Sequence, residues 1–253
     1  MEMRYRYSSM NYEIVFGSMR MLEKNRSKAY WIEMFEFMYD LGITEHHVSI
    51  EYESYNFYLE VLKVFQSNNP TKTLSHICKL AEPSFNSIEF SKERLQSKCL
   101  KYSEDLNSRN LCIQWMSRFN INDLESRLTH LGDFCENLNK EIFELKEKRI
   151  INEFLVFPYS LLELDVYHDQ KLLSHSDGYI VYCNLNEKKY GERLKNFSSR
   201  NNTAIRPFHG KKSIENYTID DNLDFIVGLN SFNRIITSFS NKNQVNEVLR
   251  KIH

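Results

Sequence analysis

Apolar residues recur along this chain at two spacings. In SKERLQSKCLKYSEDLNSRNLCIQWMSRF, Leu95, Cys99, Tyr102, Leu106, Arg109, Ile113 and Met116 follow one another at alternating four- and three-residue steps, with Arg109 the one polar member. In NDLESRLTHLGDFCENLNKEIFELKEKR, Leu124, Leu128, Leu131, Cys135, Leu138, Ile142 and Leu145 repeat those steps without exception. Such spacing lines apolar side chains along one narrow helical face. It predicts two heptad helices within 92–149, folded back antiparallel across the short break RFNIN. Asn122 with Glu125 three positions later reads as the N-cap of the second. The seam through Leu124, Leu131 and Leu138 either packs on the rest of the monomer or meets a second chain, as a homodimer or with another protein partner.

Upstream, NYEIVFG has strand composition and ends at Gly17, and residues 19–41 read as a helix carrying Trp31, Phe35, Met38 and Leu41. Residues 48–52 suggest a short strand. FYLEVLKVF and TKTLSHICKLAE read as short helices, stopped by SNNP and by Pro83.

Downstream of Arg149 the texture changes. FLVFPYSLLELDVYH is rich in strand formers. The predicted order is then strand 161–167, strand 179–183, helix 187–199, strand 203–208, strand 224–228, helix 231–239 and helix 244–252. Alternating strands and helices imply a parallel sheet with ligands at the carboxyl ends of its strands. The expected fold is thus a two-part α+β or α/β protein. Residues 1–150 are mainly helical with an αα-hairpin at 92–149, and residues 151–253 form a small parallel-sheet domain.

Composition narrows the classes. Apolar residues make up 42% of 253, enough for a core, and the formal charge of −1 creates no global pull toward nucleic acid or membrane. The seven glycines form neither a P-loop nor a GxGxxG. The cysteine count, five, is odd and no CxxC occurs, and three of the five sit on apolar faces of predicted helices, where Cys behaves as a small hydrophobe. No signal peptide or eighteen-residue apolar run is present, so a cytoplasmic location without membrane association is expected. His46, His47, His76 and His130 show no metal-ligand spacing, and no metal site is assigned. Tyr52, Tyr55, Phe57, Tyr58 and Phe65 read as core aromatics.

Local charge is less even. From Lys188 to Lys212 eight Lys or Arg accompany one acid, Glu192. Arg200, Arg206, His209 and Lys211 lie near the predicted end of the 203–208 strand, where a nucleotide or nucleic-acid phosphate could sit.

SDGYIVYCN, KKYGERLKNF, TAIRPF and DFIVGLNSFNRII together resemble the C-terminal half of TIR-like and nucleoside-deoxyribosyltransferase-like α/β domains. The resemblance covers residues 174–239. It implies an effector or signalling protein that binds NAD or another nucleotide and cleaves it at a glycosidic carbon through Glu192. Such a carboxylate serves as nucleophile or electrostatic stabiliser; an acid in a helix's first turn is also favoured by the macrodipole alone. ELDVYHDQK followed by YIVYCNLNEKK is similar to the core hairpin of PD-(D/E)xK nucleases, with Asn184 and Asn186 where an acid and a lysine are expected. His168, Lys171 and Asp177 approximate a phospholipase D motif at a spacing one residue too long. Two further functions stay open: a non-catalytic coiled-coil adaptor, and a degenerate nuclease-like nucleic-acid binder using the 188–212 patch.

Overall fold

The computed structural model describes residues 12–84, 89–117, 124–169, 173–197, 201–208 and 216–252. Eight strands are present: β1 (Glu13–Gly17), β2 (Glu45–Val48), β3 (Ser75–Ala81), β4 (Leu111–Met116), β5 (Ile151–Val156), β6 (Gly178–Tyr182), β7 (Thr203–Ile205) and β8 (Arg234–Thr237). All pair in parallel and in chain order, and β8 returns to β1 through Ile14↔Ile235 and Val15↔Ile236, closing a barrel. Each strand is followed by a helix: α1 (Lys28–Asp40), α2 (Tyr55–Asn68), α3 (Lys92–Asp105), α4 (Leu124–Glu147), α5 (Leu161–Asp169), α6 (Lys188–Leu194), α7 (Ile219–Leu229) and α8 (Lys242–Ile252). This is a (β/α)8 barrel.

Local chemistry explains the helix ends. Ser27 and Ser91 accept the backbone N–H groups of Tyr30 and Arg94 at the starts of α1 and α3. Thr218 and Asp221 form a reciprocal capping box on α7, which ends at Asn230 in the left-handed region. The strands bury both faces. Alternate residues point inward, where Val15, Ile77, Cys112, Leu155, Ile180 and Ile236 pack together. Their neighbours point outward against the helices, among them Phe16, Cys78, Trp115 and Phe154.

Gly178 shows how tightly the wall closes. A Cβ built there would collide with the backbone of Asn201, just before β7. Gly178→Ala is expected to cost about 1–3 kcal/mol, because backbone rather than a flexible side chain must move. Denaturant titration would show the loss as a lower midpoint with unchanged slope.

The two-part fold is overturned. Residues 1–150 and 151–253 share one sheet, since β4 pairs with β5 and β1 with β8. The αα-hairpin and coiled coil fall with it, because β4 lies between α3 and α4 inside 92–149. All six residues of β4 are buried, so its apolar side chains meet a helical spacing without forming a helix. The segment 75–81 forms β3, 161–169 is α5, 219–229 is α7, and 234–237 is β8. The seam residues of α4 that are described, Cys135, Leu138, Ile142 and Leu145, are buried in this chain's own core. The side chains of Leu124 and Leu131 lie outside the described residues.

Candidate active site at the carboxyl ends of the strands

The barrel interior changes character from floor to mouth. At the amino-terminal floor, Arg234 reaches Glu153 at 2.7 Å, Glu45 at 3.1 Å and Glu13 at 3.5 Å. Burial pushes Glu45 up to about 7. Arg234 opposes this, and Glu153 and Glu13 add repulsion. Above the floor lies the apolar layer of Val15, Ile77, Leu155 and Ile236.

Polar groups return at the mouth, the face where barrels of this architecture carry their chemistry. His47 of β2, Lys79 of β3 and Gln114 of β4 occupy inward positions, with Lys79 and Gln114 paired across neighbouring strands. His47 Nε2 lies 2.6 Å from Gln114 Oε1. Burial pulls His47 down to about 4, partly offset by the bond to Gln114, with Lys79 adding repulsion. The ring is therefore neutral at physiological pH, and its Nε2–H donates to the amide oxygen. That bond turns the amide nitrogen of Gln114 away from His47. Tyr52, in the loop after β2, stands 6.0 Å from the His47 ring. Lys79 Nζ lies 5.1 Å from the Tyr52 ring centre and 3.3 Å from Glu51.

A buried network holds these groups together. The Tyr102 hydroxyl, from α3, donates to the carbonyl of Lys79 (2.5 Å) and accepts from the N–H of Ile50 (2.9 Å). Ser49 adds a longer bond to the Lys79 carbonyl and accepts from Glu51 N–H. The strand carrying Lys79 and the loop carrying Glu51 and Tyr52 are thus tied to one phenol. Next around the mouth, Phe157 packs on Tyr159 at 5.3 Å and on Tyr182 at 5.1 Å. Arg206, at the end of β7, lays its guanidinium 4.5 Å from the Tyr182 ring centre.

Outside the barrel, Tyr58 bridges His46 Nδ1 (3.0 Å) and His76 Nε2 (2.9 Å). Burial holds His46 well below its ordinary value and brings His76 down to about 3. Three histidines therefore stay neutral in the folded chain while the unfolded chain protonates them below about pH 6.5. Stability should be insensitive to these groups above that pH and fall below it, by about 1.4 kcal/mol per pH unit for each unmatched proton. Glu45 works the other way between about 7 and its unfolded value near 4.5, taking up one proton in the folded state. Three histidines outweigh one carboxyl. Denaturant midpoints measured at pH 7 and pH 5 should show a clear loss at pH 5, and His76→Asn should reduce that difference.

Of the residues nominated from sequence, Arg206 lies at the mouth. Glu192 is exposed on α6 in the outer helical layer. Arg200, His209 and Lys211 lie outside the described residues. The basic run is divided: Lys188 and Lys189 are exposed, while Arg193 pairs with Asp165 at 2.6 Å. Sequence reasoning missed Lys79, Gln114, His47 and Glu51, and placed Tyr52 in the core. A signal existed, since ICKLA and LCIQWM each hold one hydrophilic residue at the centre of an otherwise apolar run.

No family model matches the chain, and no curated protein does. Solved structures do. A protein described as a putative aldo-keto reductase from Pseudomonas aeruginosa superposes with a TM-score of 0.69 at 14% identity, over 94% of this chain and 88% of its own. The holo form of an aldo-keto reductase from Bacillus halodurans gives 0.68 at 10% identity, over 95% and 86%. An aldo/keto reductase from Klebsiella pneumoniae, in complex with NADP and acetate, gives 0.63 at 11% identity, over 94% and 85%. These likenesses overturn the resemblance to TIR-like and deoxyribosyltransferase-like domains, and with it the NAD-cleaving effector reading that rested on Glu192. The adaptor reading loses its coiled coil. The nuclease-like reading loses its hairpin, because ELDVYHD is in α5. Across nearly its whole length, this chain has the closed eight-stranded barrel fold seen in aldo-keto reductases.

Proposed function

We propose that this chain is an oxidoreductase that interconverts a carbonyl and an alcohol at the mouth of the barrel, with a nicotinamide dinucleotide as hydride carrier. The observation that carries the reading is the placement of Lys79 beside Tyr52 and next to the His47–Gln114 pair, on the carboxyl ends of β2 to β4. Similar solved structures are named aldo-keto reductases, and one holds NADP.

The donor set fits such a cofactor. After β8, the amino-terminal end of α8 and Lys242 supply positive potential of the kind that binds phosphate in these barrels. Asn241 and Ser240 brace that turn through Gln244. The aromatic faces of Phe157 and Tyr182 offer flat apolar surface to a ring. When bound, the reduced nicotinamide supplies a hydride to the carbonyl carbon.

The chain's own residues do the rest. Gln114, oriented by His47, presents an amide N–H to the carbonyl oxygen. The Tyr52 phenol holds the proton that this oxygen takes up. Lys79 supplies a fixed positive charge against the negative charge developing there. Neutral His47 competes for no proton and serves to orient Gln114. Tyr102 keeps Lys79 and the Tyr52 loop in register from behind.

The reading is tested by adding NADPH and NADH to the purified chain in a thermal-shift measurement and following oxidation of the reduced cofactor with a panel of aldehydes and ketones. Stabilisation by one dinucleotide together with carbonyl-dependent oxidation is expected. An unchanged melting temperature and no turnover with either cofactor would reject it. A cytoplasmic location is proposed alongside. Five buried cysteines are free thiols, which suits a reducing compartment. Among the described residues no helix is long and apolar enough to cross a membrane.

A further inference from the structure

We infer that Glu51 is a positioning residue of this mouth, whose carboxylate fixes the Lys79 ammonium against the Tyr52 ring and preserves its charge. This rests on the oxidoreductase reading above and names the carboxylate on which the charge at that site depends.

The first observation is the environment of the ammonium. The Lys79 side chain is 13% exposed, and Glu51 Oε2 lies 3.3 Å from its Nζ. An ammonium taken out of water sheds its proton more readily unless a negative charge lies close by. The inward side chains His47 on β2 and Gln114 on β4 supply none, since burial keeps His47 neutral and Gln114 is an amide. Tyr102 reaches the Lys79 carbonyl from α3, and burial holds its phenol well above the ordinary value, so it too carries no charge. The negative charge comes from Glu51, in the loop after β2.

The second observation is how Glu51 is held. Its backbone N–H donates to Ser49 Oγ at 3.2 Å, and Ser49 Oγ donates to the Lys79 carbonyl at 3.5 Å. Ile50, the residue before it, donates its N–H to the Tyr102 hydroxyl at 2.9 Å, and that hydroxyl donates to the same carbonyl. The ion pair therefore closes a ring that begins at the backbone of Lys79 and ends at its side chain. A lysine stem carries much rotamer freedom. A partner tied to the lysine's own strand removes it.

The third observation is adjacency. Glu51 and Tyr52 are consecutive, and Lys79 Nζ lies 5.1 Å from the Tyr52 ring centre. The ammonium is thus met by a carboxylate and an aromatic face from neighbouring residues of one loop. The Glu51 side chain is 38% exposed, so it acts strongly on the ammonium it touches and is screened by water beyond it. A negative charge beside an ammonium and a phenol favours the protonated form of both. Removing it displaces either titration to lower pH, whichever of the two groups limits turnover.

The test uses the intact chain and two variants. Glu51→Gln keeps the shape without the charge; Glu51→Asp keeps the charge on a shorter stem. Turnover of para-nitrobenzaldehyde with NADPH is followed from about pH 6 to about pH 10, the range that spans amine and phenol titration. Glu51→Gln should lower kcat roughly tenfold with KM little changed, as expected when a charged group loses its fixed place. The alkaline fall of kcat should also move lower by about one pH unit. Glu51→Asp should restore the position of that fall and most of kcat. A Glu51→Gln profile that superimposes on the wild type overturns the proposal. So does a Glu51→Asp profile displaced as far as that of Glu51→Gln, which would make shape rather than charge the cause. NMR of the chain carrying carbon-13 lysine needs no turnover. The ε-carbon signal of Lys79, identified by its loss in Lys79→Met, reports the ammonium directly. A titration midpoint lowered by about one pH unit in Glu51→Gln and kept in Glu51→Asp supports the role of Glu51 even if the oxidoreductase reading fails. Equal midpoints in the wild type and Glu51→Gln overturn it.

Discussion

Lys79→Met should lower carbonyl turnover by roughly a hundredfold to ten-thousandfold while leaving the barrel folded, on the scale of losing a positioned charge or proton-transfer group. Methionine keeps most of the alkyl stem, and the backbone bonds from Tyr102 and Ser49 go to the Lys79 carbonyl, which the substitution retains. What is lost is the ammonium beside Tyr52 and Glu51. Glu51 is 38% exposed in its side chain, so water takes up its charge and the folding penalty is small. The prediction is therefore a split between two measurements: melting temperature nearly unchanged, and kcat falling far more than KM rises. Equal turnover in both proteins would remove Lys79 from the chemistry and leave the mouth without its main electrostatic element.

Arg234→Met should instead unfold the chain more readily, by about 3–5 kcal/mol, the range for removing one partner of a buried charge cluster. The Glu45 and Glu153 side chains are 14% and 8% exposed, and both face the same guanidinium. Burial already raises Glu45 to about 7 with Arg234 present. Without the cation, Glu45 keeps the repulsion of Glu153 and Glu13 and loses the charge that opposes it, so its folded-state value must rise further. A carboxyl raised on folding contributes stability below its unfolded value and loses it as pH climbs through the folded one. The variant should thus lag the wild type most at neutral and alkaline pH and recover toward it near pH 4–5. Denaturant midpoints for both proteins across that range would test the sign. A uniform deficit at every pH would mean that the loss is packing rather than charge.

These two residues divide the barrel's labour. Lys79 and Arg234 both point inward, each among groups that offset its charge. One sits at the carboxyl ends of the strands, beside Tyr52 and Glu51. The other sits at the amino ends and acts on stability.

Some of this was written locally. NYEIVFG ending at Gly17, the strands near 179–183 and 203–208, α2 and α8 could all be read from short-range pattern and turn residues. The presence of a parallel sheet was also legible, from alternation after residue 150.

The number of strands and the closure of the sheet were not legible. In a barrel each strand is covered on both faces, so LCIQWM and SHICKLA lose the alternation that marks a half-exposed strand. Short apolar runs of that kind fit helical steps as readily, and β4 was absorbed into a heptad pattern. The error at 219–237 has the same origin: DFIVG lies in a capped helix and RIIT forms the last strand, with compositions too alike for short-range rules to separate.

The candidate site was hidden for a different reason. Tyr52, Lys79 and Gln114 are separated by dozens of residues and share no motif; only neighbouring strand ends bring them together. Propensity, capping and turn chemistry act over a few residues, so the sequence by itself determined some of the helices and several strands. Which strands meet, which lysine faces a phenol and which arginine closes the ring of charge were decided by closure of the sheet, a long-range packing event that no local window contains.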